Sequence, residues 1–315
     1  MLHLRHVVGR STLRALLFAS AALLGAGGAL LATDVVAEPA IHQAPAPFVS
    51  DRLSVEVVGS GPDVVLIPGF ASSREVWRAE ADRLKATHRV HLVQLAGFAG
   101  EPWTHDDDGP FIEPMLAELA RYVREVGMER PAVIGHSMGG LTGLMLAQRH
   151  PELVGRVMSV DSLPFFSVLY GPAATVETAR PFAEQTAAAI RGMDAAAFRA
   201  GQVQTAATMA RDEAARAAMI EWSMASDREA MAAAMRDVMT TDARPGLAGM
   251  TTPVWAIYAA DAAGGAPPAM ADALWTREYA DLPGVRLIRV DDSRHFIMAD
   301  QPARFAALVD QFLAD

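Results

Sequence analysis

The chain has 315 residues, 51% of them hydrophobic, and 27 Lys and Arg against 37 Asp and Glu give a formal charge of -10. An acidic body argues against nucleic acid or an anionic membrane surface as a partner, because both attract cationic faces. The absence of cysteine excludes thiolate metal sites, disulfides and lipid attachment through a thioether, so an exported form must rest on its core alone.

In chain order, Arg5, Arg10 and Arg14 precede an apolar, small-residue stretch from Ala15 to Ala32, and Val35-Val36-Ala37 then sets small residues at the -3 and -1 positions of a cleavage site. This predicts a secretory signal peptide over residues 1–37, with Ala32 as a second cleavage point, and a periplasmic or secreted product. The alternative is an uncleaved anchor over residues 15–32, just long enough to span a bilayer, and only then is a membrane a partner. Residues 38–50, with Pro39, Pro45 and Pro47, read as a linker. Strand patterns follow at 53–58, 63–67, 89–94, 132–136 and 155–160, alternating with helical patterns at 73–86, 112–126 and 138–149. That rhythm predicts an α/β fold with a mostly parallel sheet flanked by helices.

From Leu163 to about Met250 no strand pattern occurs and Ala-rich helical segments take over. Ser226-Asp227-Arg228-Glu229 has the form of a capping box leading into Met231, Met235 and Met239 at i, i+4 spacing. The expected partition is therefore a core of residues 51–162 and 251–315 with a helical insertion at 163–250. Strand patterns resume over 253–260 and 285–290.

The segment Gly135-His136-Ser137-Met138-Gly139-Gly140 sits where the apolar run Ala132-Val133-Ile134 gives way to a helix. A G-x-S-x-G turn in that context holds its serine in a strained conformation, with glycines where side chains would collide, and leaves the Met138 N–H at a helix N-terminus suited to a developing oxyanion. The plain alternative is a serine in an ordinary Gly-rich turn. With Leu66-Ile67-Pro68-Gly69-Phe70-Ala71-Ser72-Ser73 and Ser293-Arg294-His295-Phe296 in the expected order, the chain resembles the α/β-hydrolase superfamily, in particular members with an inserted helical cap. The likeness covers about residues 50–315.

The resemblance implies that the backbone N–H of Phe70 joins that of Met138 as oxyanion donor and that residues 163–250 cover the catalytic face. Pro68 stands where relatives carry histidine, and Gln94 where they carry aspartate at the end of the third strand. Serine needs a base of suitable pKa, and of nine histidines His295 lies late in the chain, after a strand and a polar loop, where this fold presents its base. The third member should be a carboxylate at a strand end. Asp261 is the first choice and Asp161 the alternative, since relatives place the acid one residue later than Asp261 and some use the preceding strand.

The expected function is a serine hydrolase cleaving an apolar carboxylic ester, of the carboxylesterase kind, through an acyl-enzyme. A non-catalytic protein of the same fold that holds a small apolar ligand is the alternative. No cofactor or metal is called for, no protein partner is implied, and neither H-E-x-x-H nor a Walker G-x-x-x-x-G-K occurs. The methionine stripe fits packing against the body beneath and also an adaptable substrate wall. Arg180, Arg191 and Arg199 read as solvated helix faces, and Asp106-Asp107-Asp108 as a solvated loop, with a hard cation as the sharper reading of the triplet.

Overall fold

The computed structural model describes residues 48–105 and 109–315. The signal peptide or anchor, most of the linker and Asp106-Asp107-Asp108 lie outside the described residues.

Seven strands form one sheet: β1 (Leu53–Gly59), β2 (Asp63–Ile67), β3 (Arg89–Leu95), β4 (Ala132–His136), β5 (Arg156–Val160), β6 (Val254–Ala260) and β7 (Arg286–Asp291). Their spatial order is β1-β3-β2-β4-β5-β6-β7, with β1 antiparallel to β3 and every other pair parallel. The expected α/β-hydrolase sheet is thus present. A parallel sheet is covered on both faces, so its strands read as unbroken apolar runs. In β2 the side chains of Val65 and Ile67 meet α2 (Ile112–Glu125) and α3 (Met138–Arg149) through Leu116, Leu119, Leu141 and Leu144. Val64 and Leu66 point the other way, onto α1 (Arg78–Leu84) and the C-terminal helix Pro302–Ala314 through Ala81, Leu84, Phe305 and Phe312. Each such burial stabilises the fold by roughly 1.5–3 kcal/mol.

Between β5 and β6 the chain leaves the sheet for four helices, α4 (Val176–Gly192), α5 (Ala195–Met209), α6 (Glu213–Ala225) and α7 (Arg228–Thr240). Their starts are written locally, since Thr175, Asp194, Asp212 and Asp227 each accept a first-turn N–H. Here the expectation for Ser226 is corrected. Asp227 is the cap of α7, bonding the N–H groups of Glu229 and Ala230, while the Ser226 hydroxyl accepts from the Ala99 N–H at 2.9 Å and donates to the Trp222 carbonyl. The Asp237 carboxylate on α7 accepts the N–H groups of Phe111 and Ile112 at 2.7 and 2.9 Å, tying the insertion to the start of α2. After β6 come α8 (Pro268–Glu278), β7, the single turn α9 (Ile297–Asp300) and α10 (Pro302–Ala314). Among the described residues no helix is long and apolar enough to cross a membrane.

Candidate active site

Ser137 lies at the junction of β4 and α3 with φ 54° and ψ -122°, a left-handed conformation that side chains rarely adopt. The neighbouring backbones explain how it is held. A Cβ at Gly135 would come within 2.1 Å of the Gly139 carbonyl oxygen, and one at Gly139 within 2.4 Å of that of Ile67. The Ser137 N–H donates to the Val160 carbonyl at 2.9 Å, which anchors the turn to the end of β5. Neither the Met138 nor the Phe70 N–H donates to a protein acceptor among the described residues.

The loop bearing Phe70 is fixed by Gln94. Its buried side-chain oxygen accepts the Arg74 N–H at 2.8 Å, and its amide nitrogen donates to the carbonyls of Phe98, Ser72 and Leu95 at 3.1, 3.3 and 3.3 Å. An ionised carboxylate has no proton to give and could not serve these three oxygens. The departure at this position therefore supplies a donor that closes two neighbouring loops on each other.

His295 lies in the loop between β7 and α9. Its Nδ1 pairs with Asp161 Oδ2 at 2.6 Å, and Asp161 Oδ1 accepts the Ala259 N–H at 2.9 Å. Asp161, like Ser137, has a left-handed φ, 44°, at the end of its strand. The carboxylate facing the imidazole is thus that of Asp161, and the first choice, Asp261, is corrected. Asp261 continues extended after β6 and its Oδ2 accepts from Arg294 Nε at 2.8 Å, while Oδ1 accepts the Ala263 N–H. The Arg294 guanidinium holds the Asp261 carboxyl below its ordinary pKa, helped by Arg211. A carboxylate so engaged is turned away from the histidine.

His136 lies inside the elbow, directly before the serine. Its Nε2–H donates to the His295 carbonyl at 2.9 Å, and the two rings lie 4.5 Å apart. Burial, reinforced by the His295 charge, keeps its pKa well below the ordinary histidine value, so it stays neutral. Its Nδ1 has no hydrogen-bond partner among the described residues. The backbone at His295 is thereby held by the residue that precedes Ser137. Adjacency to the elbow is the only trace of this in the sequence.

Ser137, Asp161 and His295 open onto a cavity of about 530 Å³ beneath the inserted helices, together with Phe70. Met231, Met235 and Met239 of α7 line it, and Met231 and Met239 are at the same time nearly inaccessible to solvent, so the stripe is both packing and wall. Among the described residues no lysine or arginine reaches the lining. Arg199 pairs with Glu221 at 3.1 Å and Arg191 with Glu229 at 2.5 Å. An alcohol and an imidazole backed by a carboxylate at one apolar cavity, with the Met138 and Phe70 amides left without a protein acceptor beside them, are components suited to acyl transfer.

A sequence model described as Alpha/beta hydrolase family matches residues 64–308. Among curated proteins, the chain is 33% identical over 123 residues to the pimeloyl-[acyl-carrier protein] methyl ester esterase of Vibrio atlanticus, covering 39% of this chain and 45% of that protein. It is 37% identical over 114 residues to the protein of the same name from Aeromonas hydrophila, covering 36% and 43%. The chain thus spans less than half the length of these curated relatives. Among solved structures, an enol-lactonase from Burkholderia xenovorans LB400 aligns with a TM-score of 0.68 at 21% identity, over 84% of this chain and 96% of that one. A thermophilic esterase from Thermogutta terrifontis aligns with a TM-score of 0.69 at 20% identity, over 83% and 93%. At these identities the likeness is one of fold.

Proposed function

We propose a specific chemistry for this chain, which belongs to the α/β hydrolase family: it is a serine hydrolase that cleaves neutral, apolar carboxylic esters, with Ser137, His295 and Asp161 as its triad. The observation that carries this reading is the 2.6 Å pair of His295 Nδ1 and Asp161 Oδ2 opening onto the cavity that also holds the strained Ser137. Asp161 keeps the proton on Nδ1, so Nε2 is the basic nitrogen. It takes the Ser137 proton as the hydroxyl oxygen bonds to the ester carbonyl carbon. The Met138 and Phe70 N–H groups receive the negative charge that forms on the carbonyl oxygen. As the C–O bond to the alcohol breaks, the imidazolium returns the proton to the leaving oxygen. Water, deprotonated by the same nitrogen, then releases the acid and restores the serine. The cycle needs no metal or organic cofactor.

Ester as the bond class draws on the two esterase relatives, and neutrality of the substrate on a cavity lining that holds no lysine or arginine among the described residues. The pairing of His295 with Asp161 favours this reading over a non-catalytic protein that holds an apolar ligand. A fluorophosphonate probe should label Ser137 at neutral pH, and labelling should vanish in Ser137→Ala and fall sharply in His295→Ala. Tight binding of apolar esters without labelling or turnover would return the protein to the binding class. Export belongs to the same proposal and rests on residues 1–37; the N-terminal sequence of protein recovered from the cell exterior or periplasm should begin at Glu38.

A further inference from the structure

The residues on either side of His295 are bonded to the inserted helices, and the bonds form a closed set. Arg294 donates from Nε to Asp261 at 2.8 Å and from a terminal nitrogen to the Ala207 carbonyl of α5 at 2.5 Å. The Phe296 N–H donates to the Met209 carbonyl at 3.1 Å. Asp300 completes the set from the end of α9. Its Oδ2 accepts the Arg294 N–H at 2.8 Å, and its Oδ1 accepts the N–H groups of Arg211 and Asp212 at 2.8 and 2.9 Å, where α5 passes into α6. Arg211 adds ionic contacts to Asp292 at 3.3 Å and to Asp261 at 3.7 Å.

The charges suit the task. Asp261 is 5% exposed and Arg294 21% exposed, so their bond is shielded from bulk water, where an exposed pair would contribute little. The Asp300 carboxylate accepts three backbone N–H groups from two separate segments, which a neutral side chain could not match. Residues 294 and 296 bracket His295, so residues 207–212 cannot be displaced without pulling on the histidine's own backbone.

Resting on the triad reading above, we propose that Arg294, Asp261 and Asp300 are positioning residues that lock segment 207–212 of the inserted helices onto the loop carrying His295, so that the base reaches its working position only when those helices are seated. Binding under the helices and assembly of the base are then one event. A wall that merely shaped the pocket would leave chemistry on the smallest substrates untouched, and this lock does not.

The test uses the full chain with p-nitrophenyl acetate, too small to need the cavity wall, and a longer-chain p-nitrophenyl ester. Arg294→Ala should lower kcat for acetate by on the order of 10²-fold, the scale of a misplacement of about 1 Å. Arg294→Lys, which can hold Asp261 or the Ala207 carbonyl but not both, should recover part of it. Hydrogen exchange should rise together in segments 207–212 and 293–300. If Arg294→Ala keeps its kcat on acetate within about twofold and only the KM of the longer ester rises, the lock is refuted; so it is if exchange rises in 293–300 alone. Asp300→Asn, which withdraws one acceptor and leaves the volume unchanged, gives the same readings should Arg294→Ala fail to fold. Wild-type protein that neither hydrolyses esters nor takes up the probe would end the triad reading, while the exchange result would still judge the coupling.

Discussion

Asparagine at position 161 gives the sharpest test of the site, because the structure dictates which way its amide must face. Asp161 Oδ1 already accepts the Ala259 N–H, so in Asp161→Asn the carbonyl oxygen takes that place and the NH2 group faces His295 Nδ1. Nδ1 must then accept, which drives the imidazole proton to Nε2, the nitrogen needed as base. The flipped amide would restore the tautomer but set two donors against each other at Ala259, at a penalty of about 1–3 kcal/mol. That alone keeps the productive form to roughly one part in five to one in 160. Loss of the negative charge that stabilises the imidazolium brings the total to about 10⁴-fold in kcat, or about 5.4 kcal/mol. Asp261→Asn keeps an oxygen for Arg294 Nε but turns its NH2 group onto the Ala263 N–H, a cost of about 1–3 kcal/mol that falls on local stability, and its kcat should stay within about tenfold of wild type because the His295–Asp161 pair is untouched. The assay is kcat and KM on p-nitrophenyl esters for both variants, with circular dichroism to show that each is folded. Retention of activity within tenfold by Asp161→Asn, together with a collapse in Asp261→Asn, would refute the reasoning.

Ser137→Gly removes the side chain from a left-handed position and should raise stability by about 1–2 kcal/mol while abolishing turnover, read as an increase in Tm. His136 binds a proton far more readily unfolded than folded, so its contribution is intact above about pH 6.5 and is lost as pH falls below that value. Urea unfolding at pH 7.5, 6 and 5 should therefore show a shallower acid decline in His136→Gln, by up to about 1.4 kcal/mol per pH unit. Gln94→Glu replaces the amide donor with a carboxylate facing the carbonyls of Ser72, Leu95 and Phe98, and should destabilise by on the order of 3 kcal/mol with loss of oxyanion stabilisation, measured by unfolding and by kcat. Along a series of straight-chain esters, kcat/KM should rise about fourfold per methylene until the cavity is filled, at about 0.8 kcal/mol each, and Met235→Trp should move the optimum to shorter chains.

The elbow and the sheet were legible in the sequence because the forces that make them are local. Val64 through Ile67 are apolar on both faces since both faces are covered, and Gly135 and Gly139 flank the serine since the neighbouring backbones leave no room for a Cβ. What stayed hidden depends on partners distant along the chain. The task of Gln94 shows only in the fold, where its amide donor meets the carbonyls of Ser72, Leu95 and Phe98. The cap of α7 fell to Asp227 because Ser226 is drawn off by the Ala99 N–H, 127 residues away. The acid is the instructive case. Asp161 and Asp261 both end sheet strands between the serine and the histidine, so chain order alone cannot choose between them. The structure separates them: the Arg294 guanidinium, one residue before His295, binds the carboxylate of Asp261, while that of Asp161 faces the ring. The same arginine reaches the inserted helices at Ala207. One cation thus engages the aspartate that does not face the histidine and ties the histidine's loop to the inserted helices, so on the proposed triad the pairing of the base and the seating of the helices meet at a single side chain.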